Sequence, residues 1–119
     1  MHLAIEDDRL TLTLQGAERL WAFKLAPIVI RRADVVRAVS ALPPSSLFDI
    51  RAPGTGLPGV IRAGTYYTDR GTEFWYVVRS RKDQPLTIEL SGVPYRRVAV
   101  TIDGAVGWAA RINAWVAER

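Results

Sequence analysis

Five consecutive apolar residues, Phe74-Trp75-Tyr76-Val77-Val78, constrain the fold more than any other feature of this chain. The run is far shorter than the roughly 18–20 apolar residues a membrane-crossing helix needs. A turn signal, Asp69-Arg70-Gly71, lies just before it, and Arg79, Arg81 and Lys82 lie just after it. Aromatic and β-branched side chains suit pleated, buried backbone. Successive strand residues point to opposite faces, so a strand apolar at both parities must be covered on both sides.

The neighbouring sequence extends this into a set of strands. A Gly/Pro stretch, Gly54-Thr55-Gly56-Leu57-Pro58-Gly59, opens into a strand over residues 60–67. The tight turn then leads to a strand over residues 73–79. Strands over 86–90 and 96–102 follow. In the first, Leu86, Ile88 and Leu90 alternate with Thr87 and Glu89; in the second, Val98, Val100 and Ile102 alternate with Arg97, Ala99 and Thr101. The connections, residues 80–85 and Ser91-Gly92-Val93-Pro94, are short and predict a meander of antiparallel neighbours.

Upstream, Leu3 and Ile5 share one parity, and Leu10, Leu12 and Leu14 share the other. Asp7-Asp8 lies between them, where a turn or bulge switches the face. Thr11 and Thr13 point outward, and Gln15-Gly16-Ala17 closes the pair. A third strand over residues 20–25 turns Trp21, Phe23 and Leu25 inward. Pro27 suits a strand start or an edge, and Ile28-Val29-Ile30 continues as β. Residues 31–39 fit either a short amphipathic helix or a strand end, a turn around Ala33-Asp34 and a further strand through Val39. The valines favour the second reading. Residues 42–59 form the one long irregular stretch, a shaped loop holding Pro43, Pro44, Pro53 and Pro58. Leu47, Phe48 and Ile50 pin it to the core.

The chain closes in a helix. Asp103 reads as its N-cap. Trp108, Ile112, Trp115 and Val116 recur at helical spacing as an apolar stripe, with Arg111, Glu118 and Arg119 off it. Burying each indole contributes on the order of several kcal/mol before entropy is charged. The helix therefore docks on the sheets and stoppers one open end of a curled β structure.

About seven strands followed by one C-terminal amphipathic helix look like the pleckstrin-homology (PH) superfold. Arg51-Ala52-Pro53-Gly54-Thr55-Gly56-Leu57-Pro58-Gly59, then Ala63-Gly64-Thr65-Tyr66 and the run Phe74 to Val78, resemble bacterial PH-like domains of largely unknown function. In that group a G-T-G-x-P-G loop precedes a G-x-[FY] strand, an aromatic-rich strand, a hairpin and an Asp-led helix. The resemblance covers residues 50–118 and is looser over 1–45. It implies a mostly β fold, a curled antiparallel sheet or barrel of about seven strands capped by one α-helix, as a single domain over residues 1–119. Phosphoinositide-binding members carry a Lys-x-Arg-type signature on the first hairpin. Arg9, Arg19 and Lys24 lie there without that spacing, and Arg31-Arg32 comes later.

Composition narrows the chemistry. The 119 residues suit one domain, and 49% hydrophobic content suits a real core. There is no cysteine, hence no disulfide, thiolate metal site or cysteine nucleophile. His2 is the single histidine, so neither a histidine metal cluster nor a Ser-His triad is available. Adjacent Asp7-Asp8 suits a turn better than paired acid–base work. Gly54-x-Gly56-x-x-Gly59 matches the letters of a dinucleotide fingerprint, but β residues follow where that motif needs a helix. No cofactor is expected. The start of the chain turns acidic within one short apolar stretch, unlike a signal peptide, and the expected setting is the cytoplasm.

Net charge is +4 with pI near 10.0. The basic residues are spread along the chain, which favours a solvated surface over a nucleic-acid patch. In an alternating meander, Arg70, Arg96 and Arg97 fall at one end and Arg79 to Lys82 at the other, beside the helix start. A helix N-terminus favours anions, but Asp103 fills that role in this reading. Arg70, Arg96 and Arg97 are thus the candidate anion or partner site. Tyr66, Tyr67, Trp75 and Tyr76 interleave with arginines as in single-strand nucleic-acid binders, although burial accounts for most of them. The expected function is a non-enzymatic module engaging a protein partner or its own copies, with edge-strand pairing as the natural mode. The alternative is a surface for anionic lipid head groups or nucleic acid through the loop arginines. A small enzyme would need a pocket of convergent polar groups, which nothing in the sequence foreshadows.

Overall fold

Residue parity builds the first sheet. β1 (His2–Glu6) and β2 (Arg9–Thr13) form an antiparallel hairpin that pairs Leu3 with Leu12 and Ile5 with Leu10. Asp7 and Asp8 make the turn, with Asp7 at φ 37°, a left-handed conformation that aspartate tolerates better than most residues. A two-residue turn switches the parity, as the spacing of the leucines predicts. β3 (Ile28–Arg31) joins β2 and completes a sheet in the order β1-β2-β3. The inner side chains Leu3, Leu10, Leu12, Ile28 and Ile30 are buried. The structure, a computed structural model, describes residues 1–14, 27–41, 50–54, 60–68, 71–78, 82–91 and 95–118. The expected strand over residues 20–25, the close at Gln15-Gly16-Ala17, the anchors Leu47 and Phe48, and the turn residues Asp69 and Arg70 lie outside these.

A 3-10 turn at Arg32–Asp34 carries the chain into β4 (Val35–Val39). Residues 31–39 therefore form a strand end, a turn and a new strand, as the valines indicate. β4 belongs to a second, six-stranded sheet with β5 (Ile50–Gly54), β6 (Val60–Thr68), β7 (Gly71–Val78), β8 (Asp83–Leu90) and β9 (Arg97–Asp103). The order is β4-β8-β9-β7-β6-β5. With β4 and β5 at its two edges, the sheet is curled and open, not a closed barrel.

The strands after β6 are not a simple antiparallel meander, because β9 inserts between β7 and β8 and runs parallel to β7. Short loops set the direction of successive strands, not their adjacency. Val98, Ala99 and Val100 are each 0% exposed, and a strand buried on both faces gains most from an interior position. Nor is the stretch 42–59 wholly irregular, since β5 lies within it and pairs with β6 through a register shift. An edge strand accommodates Pro53, which has no N–H to donate.

β7 is covered on both faces, as its sequence requires. Phe74 and Tyr76 enter the main core with Leu86, Ile88, Val98 and Val100, while Trp75 and Val77 join Tyr66 and Ala99 in a second cluster on the opposite face. In the register Trp75 is flanked by Gly64 and Ala99, whose small size leaves room for an indole.

The helix α1 (Ala105–Ala117) packs across β4, β8 and the 3-10 turn. Ile112 is 0% and Trp115 6% exposed, and Trp108 and Val116 pack partly buried against the same core. The predicted stripe is therefore the docked face. The N-cap is not Asp103 but Gly104, at φ 74° with no side-chain cap. The chain leaves β9 and enters the helix through one left-handed residue, and glycine adopts that conformation without a Cβ penalty. Among the described residues, no helix is long and apolar enough to cross a membrane.

Candidate functional site

Three strand ends converge on Arg96. Its N–H donates to the Thr72 carbonyl at 2.7 Å, and its carbonyl accepts from the Leu90 N–H at 2.9 Å. The backbone at 96 is thereby fixed between the start of β7 and the end of β8. Its side chain crosses Gly71, which sits at φ 125°. A Cβ at Gly71 would collide with Arg96 Cγ, so glycine answers both the backbone angle and the close approach.

One residue later, Arg97 turns to the outer face of the large sheet. Its Nε and one terminal nitrogen donate to Glu73 Oε2 at 3.1 and 2.7 Å. Trp75 Nε1 donates to Glu73 Oε1 at 3.0 Å. The Glu73 side chain is 1% exposed and that of Arg97 13%. A buried carboxylate is tolerable only when paired and hydrogen-bonded, and here both oxygens are engaged. Arg97 is thus committed to the sheet.

The pair belongs to a longer row. In register across the sheet stand Arg37 of β4, Glu89 of β8, Arg97 of β9, Glu73 of β7, Tyr66 of β6 and Arg51 of β5. The first four alternate in sign, an arrangement that favours cross-strand pairing. Arg37 donates from Nε to Glu89 at the exposed end. That hydrogen bond, helped by the charge of Glu89, raises the Arg37 pKa above its ordinary value.

A bulge adds an apolar element. The register shifts between Val35, which opposes Leu90, and Arg37, which opposes Glu89. Val36 is the extra residue and is 53% exposed. The burial sequence of Val35–Val39, with 35 and 38 inside and 36 and 37 outside, follows from this bulge. A groove of about 330 Å³ is lined by Val36, Glu73, Glu89, Leu90, Arg96 and Arg97. It carries two acids, two bases and two apolar side chains.

The sequence reading therefore places Arg96 and Arg97 together at one end, while Arg70 lies outside the described residues. It misses Glu73, Glu89 and Val36. Glu73 shares the parity of Trp75 and Val77, so an acid on a buried face was the available signal. At the other end of the sheet, Lys82 pairs with Asp103 at 3.7 Å, and Asp103 opposes Asp83 across β8 and β9. Asp103 is thus occupied in a strand-end ion pair and not at the helix N-terminus. These two residues line a cavity of about 310 Å³ with Met1, Tyr76 and Thr101.

Other motifs find structural places. Tyr66, Trp75 and Tyr76 are buried and Tyr67 is 52% exposed; stacking on bases needs open rings. Gly54 ends β5, and the strand β6 begins at Val60, so the glycine motif lacks the helix that would hold a pyrophosphate. Among the described residues, no group of three or more metal-ligating side chains forms. No family model matches the chain, nor does any curated protein or solved structure.

Proposed function

We propose that this chain is a non-enzymatic binding or assembly module of PH-like type that engages a protein segment, its own copies included. One observation carries the reading: the groove beside Arg96 mixes an exposed valine with two acids and two bases. A polypeptide matches such a surface with side chains of either sign and an apolar contact, whereas a polyanion would meet the more exposed Glu89 beside Arg96. Arg97 serves Glu73, which weakens the case for an anion site built on the loop arginines. A cytoplasmic setting is part of the same proposal.

Solution mass by light scattering at low and high salt, on the parent and on Val36→Asp, tests this. The reading expects an assembly whose mass is unchanged by salt and falls in the variant. A protein that stays monomeric and instead binds anionic vesicles or single-stranded nucleic acid, with binding that collapses as salt rises, overturns it in favour of an anionic surface.

A further inference from the structure

The edge of β4 is closed by a side chain that imitates a strand. Asn113, on α1, accepts from the Ala38 N–H at 2.9 Å and donates to the Ala38 carbonyl at 2.8 Å. These are the two hydrogen bonds that one residue of an added antiparallel strand would exchange with Ala38. A carboxamide presents one acceptor and one donor in nearly the geometry of a peptide group. Among the described residues β4 is an edge strand of the large sheet, and an edge of this kind is a template for pairing unless something covers it.

Among the described residues, the hydrogen bonds from side chains of α1 to the body lie in its second half. Besides Asn113, Trp115 Nε1 donates to the Asp7 carbonyl at 2.8 Å, and the Arg32 guanidinium stands 5.2 Å from the Trp115 ring centre. The first half is held by apolar burial, with Ala105 0% and Ala109 8% exposed. Gly104 enters the helix in a left-handed conformation, and no atom comes within 4 Å of a Cβ placed there or at Gly107. Val106 is 64% exposed. The helix thus enters through Gly104 and is tied by hydrogen bonds at Asn113 and Trp115.

We propose that α1 is a latch over a strand-addition site, and that lifting its second half opens β4 to the β4 strand of a second copy. The sequence of β4 suits that occupant. An antiparallel pair centred on Ala38 sets Arg37 opposite Val39 and Val36 opposite Ser40 of the other copy, so no like charges meet. The valines supply β-branched contacts on both sides. The surface concerned is the edge of the sheet, not the outer-face groove at Val36, and the latch does not depend on the groove reading.

The test is a pair of variants compared with the parent by light scattering over a range of protein concentration and by hydrogen exchange at the Ala38 amide. Asn113→Ala removes both bonds. Asn113→Asp keeps shape and acceptor but cannot donate to the Ala38 carbonyl, and serves if the alanine variant folds poorly. At low concentration the Ala38 amide should exchange roughly tenfold or more faster than in the parent. At high concentration the mass should double relative to the parent, and the amide should regain protection. Placing Arg96→Glu, a groove residue outside β4, in the same background leaves this behaviour in place, which separates it from assembly through the groove. A variant with faster exchange at Ala38 and the parent's mass at every concentration overturns the proposal. So does a variant whose Ala38 amide stays as protected as in the parent.

Discussion

Trp115 and Asp7 stand 108 positions apart and are joined by one hydrogen bond, the indole Nε1 donating to the Asp7 carbonyl at 2.8 Å. Arg32 donates to the same carbonyl at 2.6 Å, and the Arg32 N–H donates to the Asp8 carbonyl at 2.7 Å. The first hairpin, the turn between the sheets and the last helix therefore meet at one backbone corner. Trp115→Phe keeps the ring burial and removes the donor, while Arg32 still serves the carbonyl. It should cost about 0.5–1.5 kcal/mol. Trp115→Ala should cost about 3–5 kcal/mol. Urea unfolding of the two variants measures the difference, and a Trp115→Phe variant as stable as the parent would refute the role assigned to the indole N–H.

The Glu73–Arg97 pair makes a second prediction. Arg97→Met leaves a carboxylate that is 1% exposed without its cation, and the expected loss is roughly 3–5 kcal/mol. Glu73→Gln in the same background removes the charge and keeps an acceptor for Trp75. The double variant should recover most of the loss. A double-mutant cycle in denaturant decides the matter, since simple additivity would mean the two side chains do not act as a pair.

Gly71 and Arg96 make a third. Gly71→Ala forces a side chain onto φ 125° and into Arg96 Cγ. The backbone alone should cost about 1–3 kcal/mol, and the collision adds to it. Arg96→Ala in that background relieves the collision but not the backbone angle. The variant pair should lie between Gly71→Ala and the parent in thermal melting; no recovery at all would assign the whole loss to the backbone.

Two glycines of the helix region should answer alanine with opposite signs. Gly107 lies inside α1 with open space around it, so Gly107→Ala should stabilise by about 0.8–1 kcal/mol. Gly104 sits at φ 74°, so Gly104→Ala should destabilise by about 1–2 kcal/mol although it meets no atom. Thermal melts of both variants compare them directly, and the same sign in both would contradict the helix boundary.

Local pattern carried much of this fold. The opposite parities of Leu3 and Leu12 predicted the first hairpin, and Trp108, Ile112, Trp115 and Val116 predicted the docked face of the helix. These signals are periodic, and period is what a sequence displays. Adjacency is not periodic: β7, β8 and β9 have the same short loops whether or not β9 slips between the other two. The bulge at Val36 inserts one residue and breaks the alternation of β4, which made residues 31–39 ambiguous. Of the candidate site, Arg96 and Arg97 were legible as charges at a strand start. Their division of labour was not, because it depends on Glu73, which lies 24 residues from Arg97 in sequence and beside it only once β9 is in place. Asp103 was misread as a cap because its residue type fits, while the backbone needed the left-handed turn that Gly104 provides.

The position of β9 has a consequence for synthesis on the ribosome. Every other strand of the large sheet precedes it in sequence, yet it lies between β8 and β7. In the native sheet the backbones of β8 and β7 stand about two inter-strand spacings apart, roughly 9.6 Å. Neither strand can bond across that gap. The native sheet can therefore be completed only after residues 97–103 have left the exit tunnel, when this seven-residue strand bonds to β8 on one side and β7 on the other.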